Sequence, residues 1–543
     1  MSPQGNDAIE PVPDHLYLIG CDARSSRGPA AAMASAQMVG FKAHNLMRMA
    51  ALGLPVPPAF VLGTPYSGSD AMRARAAEAS VWRTGIAALE SATGRRFGDV
   101  RVPLLVSVRS GAPVSMPGMM DTLLNIGLCE RTLGGLLRQT GNPRLVWDTY
   151  RRLIRNWGEL ISGVSAHAFN EAYQHIAGAR DEHSLDFTEL RALAHHYLAV
   201  HESETGKPFP QDPALQLESA ILQVLASWHS ERACAYRRQF GLGDAPGTAV
   251  TVQTMVFGNG GGRSGAGVAF TRSPLDGEPV LWTDFLFNAQ GEDVVSGRLV
   301  AQGHATLALA MPAVWAKLRD GAATLERALG DMQDIEFTVQ DGQLYFLQTR
   351  GGKRSARATV RIALDMLDEG LIATDVARER TAPIDIASLT SIRLLDEDGQ
   401  MAAPLAHAAS ANVGVTSGEI ALDTPRTLER GAQGAAVVLI RRDADTADIA
   451  ALQVSAGLLT RNGSRTAHAA VVARQMGKVC LVGCTDLVID EAARTVSLGG
   501  SKLREGDPIT LDGDAGAVYA GAMRTVTEPL TDLQQRLRRL RGG

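Results

Sequence analysis

Cysteine is scarce in this sequence, long apolar runs are missing and positive charge is not in excess, and each of these features excludes a class of protein. Five cysteines among 543 residues are too few for a disulfide-rich secreted domain and indicate reduced thiols. No apolar run approaches the ~20 residues of a membrane-spanning helix. Lys and Arg number 53 against 58 Asp and Glu, so the net charge of −5 argues against a nucleic-acid-binding protein.

The first residues of the chain lack the features of a targeting signal. Residues 1–14 are polar, contain three prolines and have no apolar core, which a signal peptide requires. We therefore expect a cytoplasmic protein whose partners include neither a membrane nor a nucleic acid. A content of 45% apolar and 20% charged residues is ordinary for a globular chain of about three or four domains.

Secondary-structure patterns change along the chain. Helix and strand patterns mix over 36–64, helices dominate 130–240, and glycine-separated short strands and helices follow from about 405. Strand patterns recur at 101–110, 248–257, 266–272 and 279–288, and a hairpin is predicted at 334–349. Cys480 and Cys484 fall in the apolar run VCLVGC and are predicted to be buried strand cysteines.

A glycine-rich turn, FGNGGGRSGAGVAF at 257–270, separates two strand patterns. Glycines allow backbone N–H groups to approach a polyanion closely. The segment is not a Walker A loop, because no G-K-[ST] follows and no helix pattern opens after it. Phosphate binding and a simple flexible hairpin tip are both compatible with this turn.

Arg109 leaves a predicted buried strand and enters a loop of small residues and methionines, VSVRSGAPVSMPGMMDT at 106–122, which is typical of a covering lid. An arginine at a strand end can clamp a phosphate through two parallel hydrogen bonds. A structural salt bridge is the alternative, and the sequence leaves both open.

The predicted hairpin DIEFTVQDGQLYFLQTR carries polar side chains on alternating positions. A three-residue loop at 340–342 would place Glu336 opposite Phe346, with Gln348 and Arg350 on the same face. A two-residue loop would move Glu336 to the other face. With the longer loop, a carboxylate, an amide and a guanidinium suit Mg²⁺ and phosphate, whereas a solvated polar face is the alternative.

One of the twelve histidines stands at the start of a predicted helix, in RNGSRTAHAAVVARQMG at 461–477. We expect a helix from Ala467 to Met476, with Thr466 as N-cap and Gly477 ending it. A phosphate on His468 would face free N–H groups and the positive end of the helix dipole. Histidine is a competent covalent carrier, and a capping or core-packed histidine is the alternative.

Taken together, these segments resemble the pyruvate phosphate dikinase group of PEP-utilising enzymes. The resemblance runs in order over about 36–525, through VGFKAHNLMRMAALGLPVPPAF, LLVSVRSGAPVSMPGMMDTLLNIGL, GVAFTRSPLDGE, NAQGEDVVSG, DIEFTVQDGQLYFLQTRGGKR and GLLTRNGSRTAHAAVVARQMGKVCLVGC. It implies an α/β and α+β multidomain fold. The implied domains are an ATP-grasp domain at 1–355 with a helical insertion at about 130–240, a helical linker at 356–404, a swivelling phosphohistidine domain at 405–525 and a charged tail at 526–543.

The resemblance also implies a reaction. His468 would take the β-phosphoryl group of ATP after the γ-phosphoryl group passes to inorganic phosphate, leaving AMP and pyrophosphate. Arg109 and Arg350 would act on the transferring phosphates. The implied ATP-binding residues are Lys42, Arg109, Gly265, Gly267, Glu292, Asp293, Glu336 and Gln348, and Glu336 and Gln348 would also hold Mg²⁺.

Three segments depart from the family pattern. The family's G-G-K-G-x-N-L is here Gly40–Leu46, with two glycines lost. Its S-G-T-G is Ser264–Gly267, which loses a hydroxyl. Its G-G-M-T-S-H is Gly463–His468, where Arg465 adds a charge beside the carrier.

The family also has a C-terminal barrel that binds phosphoenolpyruvate or pyruvate, and no eight-fold strand–helix pattern follows the phosphohistidine region here. We therefore expect a separate protein partner to carry the acceptor site. The tail at 526–543 is expected to be a stump or a docking helix, because its leucines fall near one helical face. Two other functions stay open: transfer to a different small molecule, as in PEP synthase-like relatives, or a catalytically silent nucleotide-binding regulator. The intact set of site residues argues against the regulator.

Overall fold

A computed structural model describes most of the chain. The described residues are 13–21, 34–114, 116, 119–178, 180, 182–239, 241–243, 247–295, 302–395, 403–444, 448–465 and 467–542. They form two units, one of Met1–Val256 with Tyr345–Gln348 and the other of Phe257–Leu344 with Thr349–Gly543. The fold is therefore mixed α/β and built from several sheets, as the sequence predicted.

The first unit is organised around a five-stranded antiparallel sheet in the order β1-β2-β7-β5-β6. The strands of this unit are β1 (Leu16–Ile19), β2 (Ala59–Leu62), β3 (Arg96–Phe97), β4 (Pro103–Leu104), β5 (Val106–Gly111), β6 (Thr122–Ile126) and β7 (Ala249–Thr254). Strands β3 and β4 form a separate parallel pair. Every residue of β2 and of β7 is buried, because both faces of the sheet are covered.

Helices make up the rest of this unit, and the helix-rich stretch predicted over 130–240 is confirmed. They are α1 (Ala36–Ala51), α2 (Asp70–Ala76), α3 (Ala79–Thr93), α4 (Glu130–Thr140), α5 (Pro143–Leu160), α6 (Ala166–Ala177), α7 (Phe187–Thr205), α8 (Pro213–Ala226) and α9 (Glu231–Gln239). Asn142 and Asp212 cap α5 and α8, and each helix begins with proline, which suits the first helical turn. Helix α8 packs against β5 and β6, and α1 packs against β5 and β7.

The second unit begins with a five-stranded sheet in the order β10-β9-β8-β11-β12. Its strands are β8 (Gly265–Phe270), β9 (Trp282–Phe287), β10 (Gln302–Gly303), β11 (Gln333–Gln340) and β12 (Gln343–Gly351), and the middle of β12 is the short segment grouped with the first unit. The accompanying helices are α10 (Gly291–Val295), α11 (His304–Ala310), α12 (Pro312–Leu329), α13 (Ala356–Asp368) and α14 (Thr374–Thr381). Helix α13 shares a buried apolar cluster with β8.

The turn of the hairpin differs from the predicted one. Strand β11 ends at Gln340 and β12 begins at Gln343, so Asp341 and Gly342 form a two-residue turn. Their φ angles are 50° and 78°, the left-handed conformations of a type I′ turn. The predicted three-residue loop at 340–342 is therefore wrong, because Asp341 also adopts a positive φ.

The register of the hairpin changes between its tip and its base. With a two-residue turn, Gln340 faces Gln343, and an unbroken ladder would therefore pair Met332 with Gly351. Instead, the N–H of Gly352 donates to Met332 O at 3.0 Å. One additional residue therefore lies in β12, an irregularity that shifts the alternation of side chains. At the base Asp334 and Arg350 consequently meet, with Arg350 Nε donating to Asp334 Oδ2 at 2.7 Å.

An eight-stranded mixed sheet in the order β14-β24-β23-β16-β17-β18-β19-β15 forms the C-terminal part of this unit, with a three-stranded sheet, β20-β21-β22, beside it. The remaining strands are β13 (Thr390–Leu395), β14 (Ala406–His407), β15 (Ala409–Asn412), β16 (Val415–Ala421), β17 (Val437–Arg441), β18 (Gly457–Thr460), β19 (Val479–Val482), β20 (Val488–Asp490), β21 (Thr495–Leu498), β22 (Ser501–Arg504), β23 (Pro508–Asp512), β24 (Ala517–Ala520) and β25 (Arg524–Pro529). The helices are α15 (Thr424–Ala432), α16 (Ile449–Val454), α17 (His468–Gln475) and α18 (Thr531–Arg541).

Parallel pairing in the middle of the eight-stranded sheet places the histidine-bearing helix. Strands β16, β17, β18 and β19 are parallel, and α15, α16 and α17 connect them in turn. The loop before α17 therefore leaves the carboxyl end of β18, the edge where ligands bind in sheets of this kind. Cys480 and Cys484 are both buried as predicted, but only Cys480 lies in a strand, because β19 ends at Val482. Burial raises the pKa values of their thiols to about 12 and about 11.

The tail forms a helix that docks on the chain itself. Leu537 and Leu540 of α18 are buried in a cluster with α13 and α14, and the side chain of Arg536 pairs with Asp365 and Asp368 at 2.8 and 2.9 Å. Strand β25, which directly precedes α18 in the sequence, pairs antiparallel with β13. The tail is therefore helical, and its leucines pack on the chain itself. Across the described ranges, no helix combines the length and the apolar character needed to span a lipid bilayer.

Candidate functional site

Helix α1, which carries Lys42, meets β5, which carries Arg109, through a glycine contact in the first unit. Helix α1 is kinked at Gly40, whose φ of 78° and ψ of 158° are not helical. A Cβ at Gly40 would lie 2.0 Å from Gly111 O, so only glycine allows this approach. Lys42 follows the contact on α1 and Arg109 precedes it on β5, so both cations lie near one corner.

Neighbouring hydrogen bonds fix this corner of the first unit. The N–H of Phe41 donates to Ala112 O at 2.8 Å, and this bond fixes the part of α1 just before Lys42 to the end of β5. Arg109 is partly buried, and its Nη1 donates to Gln253 Oε1 at 3.4 Å. Gln253 is a neutral amide, so this contact does not itself neutralise the positive charge of Arg109.

The methionine-rich segment after β5 packs on the helical part of the first unit. Met116 is buried in a cluster with Trp228 and Ala233. At its end, Asp121 accepts a hydrogen bond from Gln223 Nε2 at 2.9 Å and forms an ion pair with Arg232. Residues 115, 117 and 118 lie outside the described residues.

Arg350 and two carboxylates form a charged group on the hairpin of the second unit. Its guanidinium is bonded to Asp334, which is 5% exposed, and Glu336 lies two residues further along the same strand. Burial opposes the charged form of Arg350, but the Asp334 and Glu336 carboxylates raise its pKa above the ordinary arginine value. Arg350 therefore stays positive, and its Nε is already committed to Asp334.

Glu336 belongs to this charged group, although the two-residue turn moves it out of its predicted register with Phe346. The other predicted site residues occupy different environments. Gln348 is 5% exposed and lies in the β12 segment that groups with the first unit. In α10, Glu292 is exposed, whereas Asp293 Oδ2 accepts a hydrogen bond from the N–H of Gln290 at 2.9 Å.

Gly265 and Gly267 lie inside β8 rather than in the turn before it. A Cβ at Gly265 would lie 2.2 Å from the ring of Phe285, and one at Gly267 would lie 2.5 Å from the ring of Phe337. The rings of Phe285 and Phe337 stack with their centroids 5.8 Å apart, so the two glycines make room for this aromatic pair. This packing requirement is independent of any contact with phosphate.

His468 is the first residue of α17, which runs for eight residues. Ala467 occupies the N-cap position and makes no side-chain capping bond; Thr466, the predicted N-cap, lies outside the described residues. The first N–H groups of a helix have no partner within that helix. Ala467 has no side-chain oxygen that could accept a hydrogen bond from them, and such N–H groups bind anions well.

The loop before His468 is bound to the β8–β12 sheet. Arg465 donates from Nε and Nη2 to Asp284 Oδ1 at 2.9 and 2.6 Å, and from Nη2 to Thr283 O at 3.0 Å. Its guanidinium carbon lies 3.8 Å from the ring centre of Trp282. Ser464 Oγ also donates to Val294 O, at 2.7 Å.

A second buried arginine supports this loop from within α17. Arg474 is 6% exposed, and its Nη2 donates to Arg465 O at 3.1 Å while its Nε donates to Ala411 O at 2.8 Å. Burial lowers its pKa, although the carboxylates of Asp334 and Asp284 favour the charged form. Arg474 therefore holds the backbone of the Arg465 loop from within the helix that His468 begins.

Sequence reasoning missed Asp284, Trp282, Asp334 and Arg474. Arg465 and Asp284 are separated by 181 positions, so no local pattern links them. Arg465 was recognised only as an added charge beside the carrier. Asp334 sits two residues before Glu336 on the predicted hairpin, and that strand alternation was the signal that could have identified it.

Family models match both parts of this arrangement. A model described as "Pyruvate phosphate dikinase, AMP/ATP-binding domain" matches residues 79–309 and 312–371, which include Arg109 and Arg350. A second, described as "PEP-utilising enzyme, mobile domain", matches residues 434–516, which include His468.

Curated relatives extend this similarity along most of the chain. The pyruvate, phosphate dikinase of Clostridium symbiosum is 40% identical over 496 residues, which is 90% of this chain and 57% of that protein. The one from Rhizobium meliloti (strain 1021) is 40% identical over 502 residues, 89% of this chain and 56% of that protein. Pyruvate, phosphate dikinase 2 of Zea mays is 38% identical over 491 residues, with shares of 89% and 56%. The chain thus spans little more than half the length of these relatives.

The two matches define a class of protein that combines a dikinase-type AMP/ATP-binding domain with a PEP-utilising mobile domain, and in this chain a histidine begins a helix within the second match. More narrowly, the chain belongs to the pyruvate phosphate dikinase family, as the resemblance in its motifs indicated.

Proposed function

We propose that this chain is an ATP-dependent phosphotransferase of the dikinase type. ATP and inorganic phosphate give AMP, pyrophosphate and a phosphohistidine at His468. The observation that carries the proposal is the position of the loop before His468: Arg465 holds it on the sheet that also contains Asp334 and Arg350, and Ser464 holds it on α10. This contact supports a carrier that collects its phosphoryl group beside the nucleotide-binding residues.

The domain roles belong to the same proposal. Residues 1–355 would be the ATP-grasp nucleotide-binding domain and residues 405–525 the swivelling phosphohistidine domain, joined by the linker at 356–404. The matches to an AMP/ATP-binding model and to a mobile-domain model support this division. The tail at 526–543 would be a separate segment that packs on the linker helices, since α18 shares a buried apolar cluster with α13 and α14.

Lys42 and Arg109 would bind the nucleotide phosphates. Both are cations within two residues of the Gly40–Gly111 contact, and guanidinium and ammonium groups are the side chains that most often bind phosphate. Gly265, Gly267, Glu292 and Asp293 keep their predicted roles at the nucleotide as hypotheses. The packing of Phe285 and Phe337 against β8 also requires glycine at positions 265 and 267, whether or not these residues contact the nucleotide.

Arg350 would stabilise negative charge on the transferring phosphoryl group. Its Nε is held by Asp334, and the raised pKa keeps it charged. A fixed guanidinium of this kind lowers the barrier to phosphoryl transfer because it requires no reorganisation during the reaction.

The chemistry of the donors also fits a magnesium ion. Mg²⁺ takes oxygen ligands, commonly one or two carboxylates together with substrate phosphates. Glu336 supplies a carboxylate and Gln348 an amide oxygen, and Oδ1 of the buried Asp334 has no hydrogen-bond partner among the described residues. When bound, the ion would neutralise charge on the phosphates, with Glu336 and Gln348 as the residues that hold it.

His468 would act as the nucleophile on the β-phosphoryl group once the γ-phosphoryl group has passed to inorganic phosphate. A ring nitrogen forms the bond to phosphorus, and the bond from the β-phosphorus to the oxygen shared with the α-phosphate breaks, leaving AMP. The start of α17, where Ala467 supplies no capping side chain, would offer N–H groups and a positive dipole end to the anion that results.

Labelled ATP tests the proposal directly. With ATP labelled at the β-phosphate and with inorganic phosphate present, the protein is expected to become labelled, with a bond that is labile to acid and stable to base. Omitting phosphate should stop both labelling and AMP formation, because the γ-phosphoryl group then lacks its acceptor. Full-rate AMP formation without phosphate would contradict the dikinase reaction and favour a synthase-type one. Absence of label under all conditions would overturn the phosphohistidine.

The final acceptor is a further part of the proposal. The relatives are named pyruvate, phosphate dikinases, which supports pyruvate as the acceptor. We keep the hypothesis that a separate partner binds it. Purified chain is then expected to label itself but to make no phosphoenolpyruvate from ATP, phosphate and pyruvate until a partner with an acceptor site is added. Steady phosphoenolpyruvate formation by the chain alone, in a preparation free of full-length dikinase, would contradict the separate partner.

A further inference from the structure

Arg465 makes an unusually complete set of contacts for a residue in a loop. Its guanidinium bonds twice to one oxygen of Asp284 and once to a backbone carbonyl, and it stacks on Trp282. Asp284 is 2% exposed, whereas the side chain of Arg465 is 19% exposed. The ion pair therefore lies in a largely desolvated place, where a charge without its partner is costly.

The contacts join two parts of the fold that are distant in sequence. Asp284 and Trp282 belong to β9, whereas Arg465 precedes α17 and its histidine. Ser464 adds a bond to Val294 in α10, and Arg474 holds the backbone of Arg465 from the carrier side. Of Ser464, Arg465 and Arg474, only Arg465 bonds through a charged group to a carboxylate on the sheet, in the part of the chain that the structure describes.

We propose that Arg465 is a positioning residue that docks the His468 loop on β9 for the phosphorylation step. Its partner Asp284 and the ring of Trp282 form the docking point. The proposal rests on the proposed function, because docking matters for a carrier that collects a phosphoryl group and then leaves. Arg465 would raise the population of the docked state without contacting the reacting atoms.

Neutralising either partner should release the loop. Arg465→Gln leaves the buried Asp284 carboxylate without its cation, and Asp284→Asn leaves the guanidinium without its anion. We expect each change to lower the rate of self-phosphorylation at saturating ATP by about 10- to 100-fold, because the docked state becomes rare. The KM for ATP should change less than twofold, since neither residue is among those proposed to bind nucleotide.

The double variant separates docking from a general loss of structure. With both groups neutral, no charge is left buried and unpaired, so Arg465→Gln/Asp284→Asn should lose much less than the product of the two single losses. Arg442→Gln is the matched control: Arg442 belongs to the same domain, and its side chain is 73% exposed. This control should keep the rate of the unaltered protein.

Quenching of Trp282 reports docking without any need for catalysis. The docked loop covers the indole, so acrylamide quenching of the Trp282 signal, taken as the difference from Trp282→Phe, should rise in Asp284→Asn. Because Asp284→Asn leaves the covering guanidinium in the chain, such a rise reports release of the loop. The same rise is expected for Arg465→Gln and not for Arg442→Gln.

Three outcomes would overturn the docking role of Arg465. The first is a self-phosphorylation rate of Arg465→Gln within twofold of that of the unaltered protein. The second is a loss in the double variant that equals the product of the losses in the two single variants. The third is unchanged quenching of Trp282 in Asp284→Asn. Failure of the unaltered protein to accept label would count against the proposed function instead. The quenching result would still decide whether Arg465 docks the loop.

Discussion

His468→Asn is expected to abolish phosphohistidine formation, with a loss of roughly 10⁴-fold or more in labelling from ATP. Asparagine has no ring nitrogen that can carry a phosphoryl group, so no residual covalent route remains at this position. His468 begins α17, and asparagine is well tolerated at a helix start, so the helix should still form. The measurement is incorporation of the β-phosphate of ATP into the protein.

Nucleotide binding by the His468→Asn variant should be retained, because Lys42, Arg109 and Arg350 lie on α1, β5 and β12 rather than on the carrier helix. ATP binding measured by calorimetry or by thermal stabilisation is therefore expected to match that of the unaltered protein. His407→Asn is the matched control, since His407 is an exposed histidine on β14 of the same domain. Equal labelling of His468→Asn and His407→Asn would show that another group carries the phosphoryl.

Local patterns predicted the elements that position the site. The helix expected from Ala467 to Met476 is observed as His468–Gln475, and the strand expected at 101–110 is observed as Val106–Gly111. Both follow from short-range features: alternation of apolar residues in the strand, and a polar turn followed by a small-residue apolar run in the helix. Such features act within a few residues, so the sequence alone carries them.

Contacts between distant segments were beyond this reasoning. The hairpin turn depends on whether Asp341 adopts a positive φ, and the register depends on one additional residue in β12. Both are decided by how the strands pack, because alternation alone is compatible with either loop length. The packing role of the two glycines in β8 likewise becomes evident only from the positions of the rings of Phe285 and Phe337, which lie against them.

The family resemblance supplied roles that the residue patterns had left open, yet it gave no indication of the Arg465–Asp284 pair. In the family pattern the position of Arg465 is a methionine, so the resemblance marked it only as a departure. The structure gives that departure a partner in Asp284 and a stacking surface in Trp282. A departure from a family pattern therefore becomes informative once its contacts are known.

Arg350→Lys is expected to keep the fold and to lower His468 phosphorylation by about 10³-fold or more, within the range that a fixed arginine contributes to phosphoryl transfer. The hydrogen bond from Arg350 Nε to Asp334 Oδ2 is 2.7 Å long, and a lysine ammonium can still neutralise that buried carboxylate. The ammonium cannot bond to Asp334 and at the same time present a planar pair of donors to a phosphoryl group. Stability should therefore survive while transition-state stabilisation is lost.

The rate of labelling at saturating ATP, measured beside the melting temperature, decides whether Arg350 has this role. Arg354→Lys is the matched control, because Arg354 lies just beyond β12 and pairs with Asp331 at 2.7 Å without a proposed part in transfer. We expect Arg354→Lys to label at the rate of the unaltered protein and Arg350→Lys to melt within a few degrees of it. A near-normal rate in Arg350→Lys would mean that Arg350 serves only to neutralise Asp334, since a single positive charge would then suffice where the planar guanidinium is proposed to be needed.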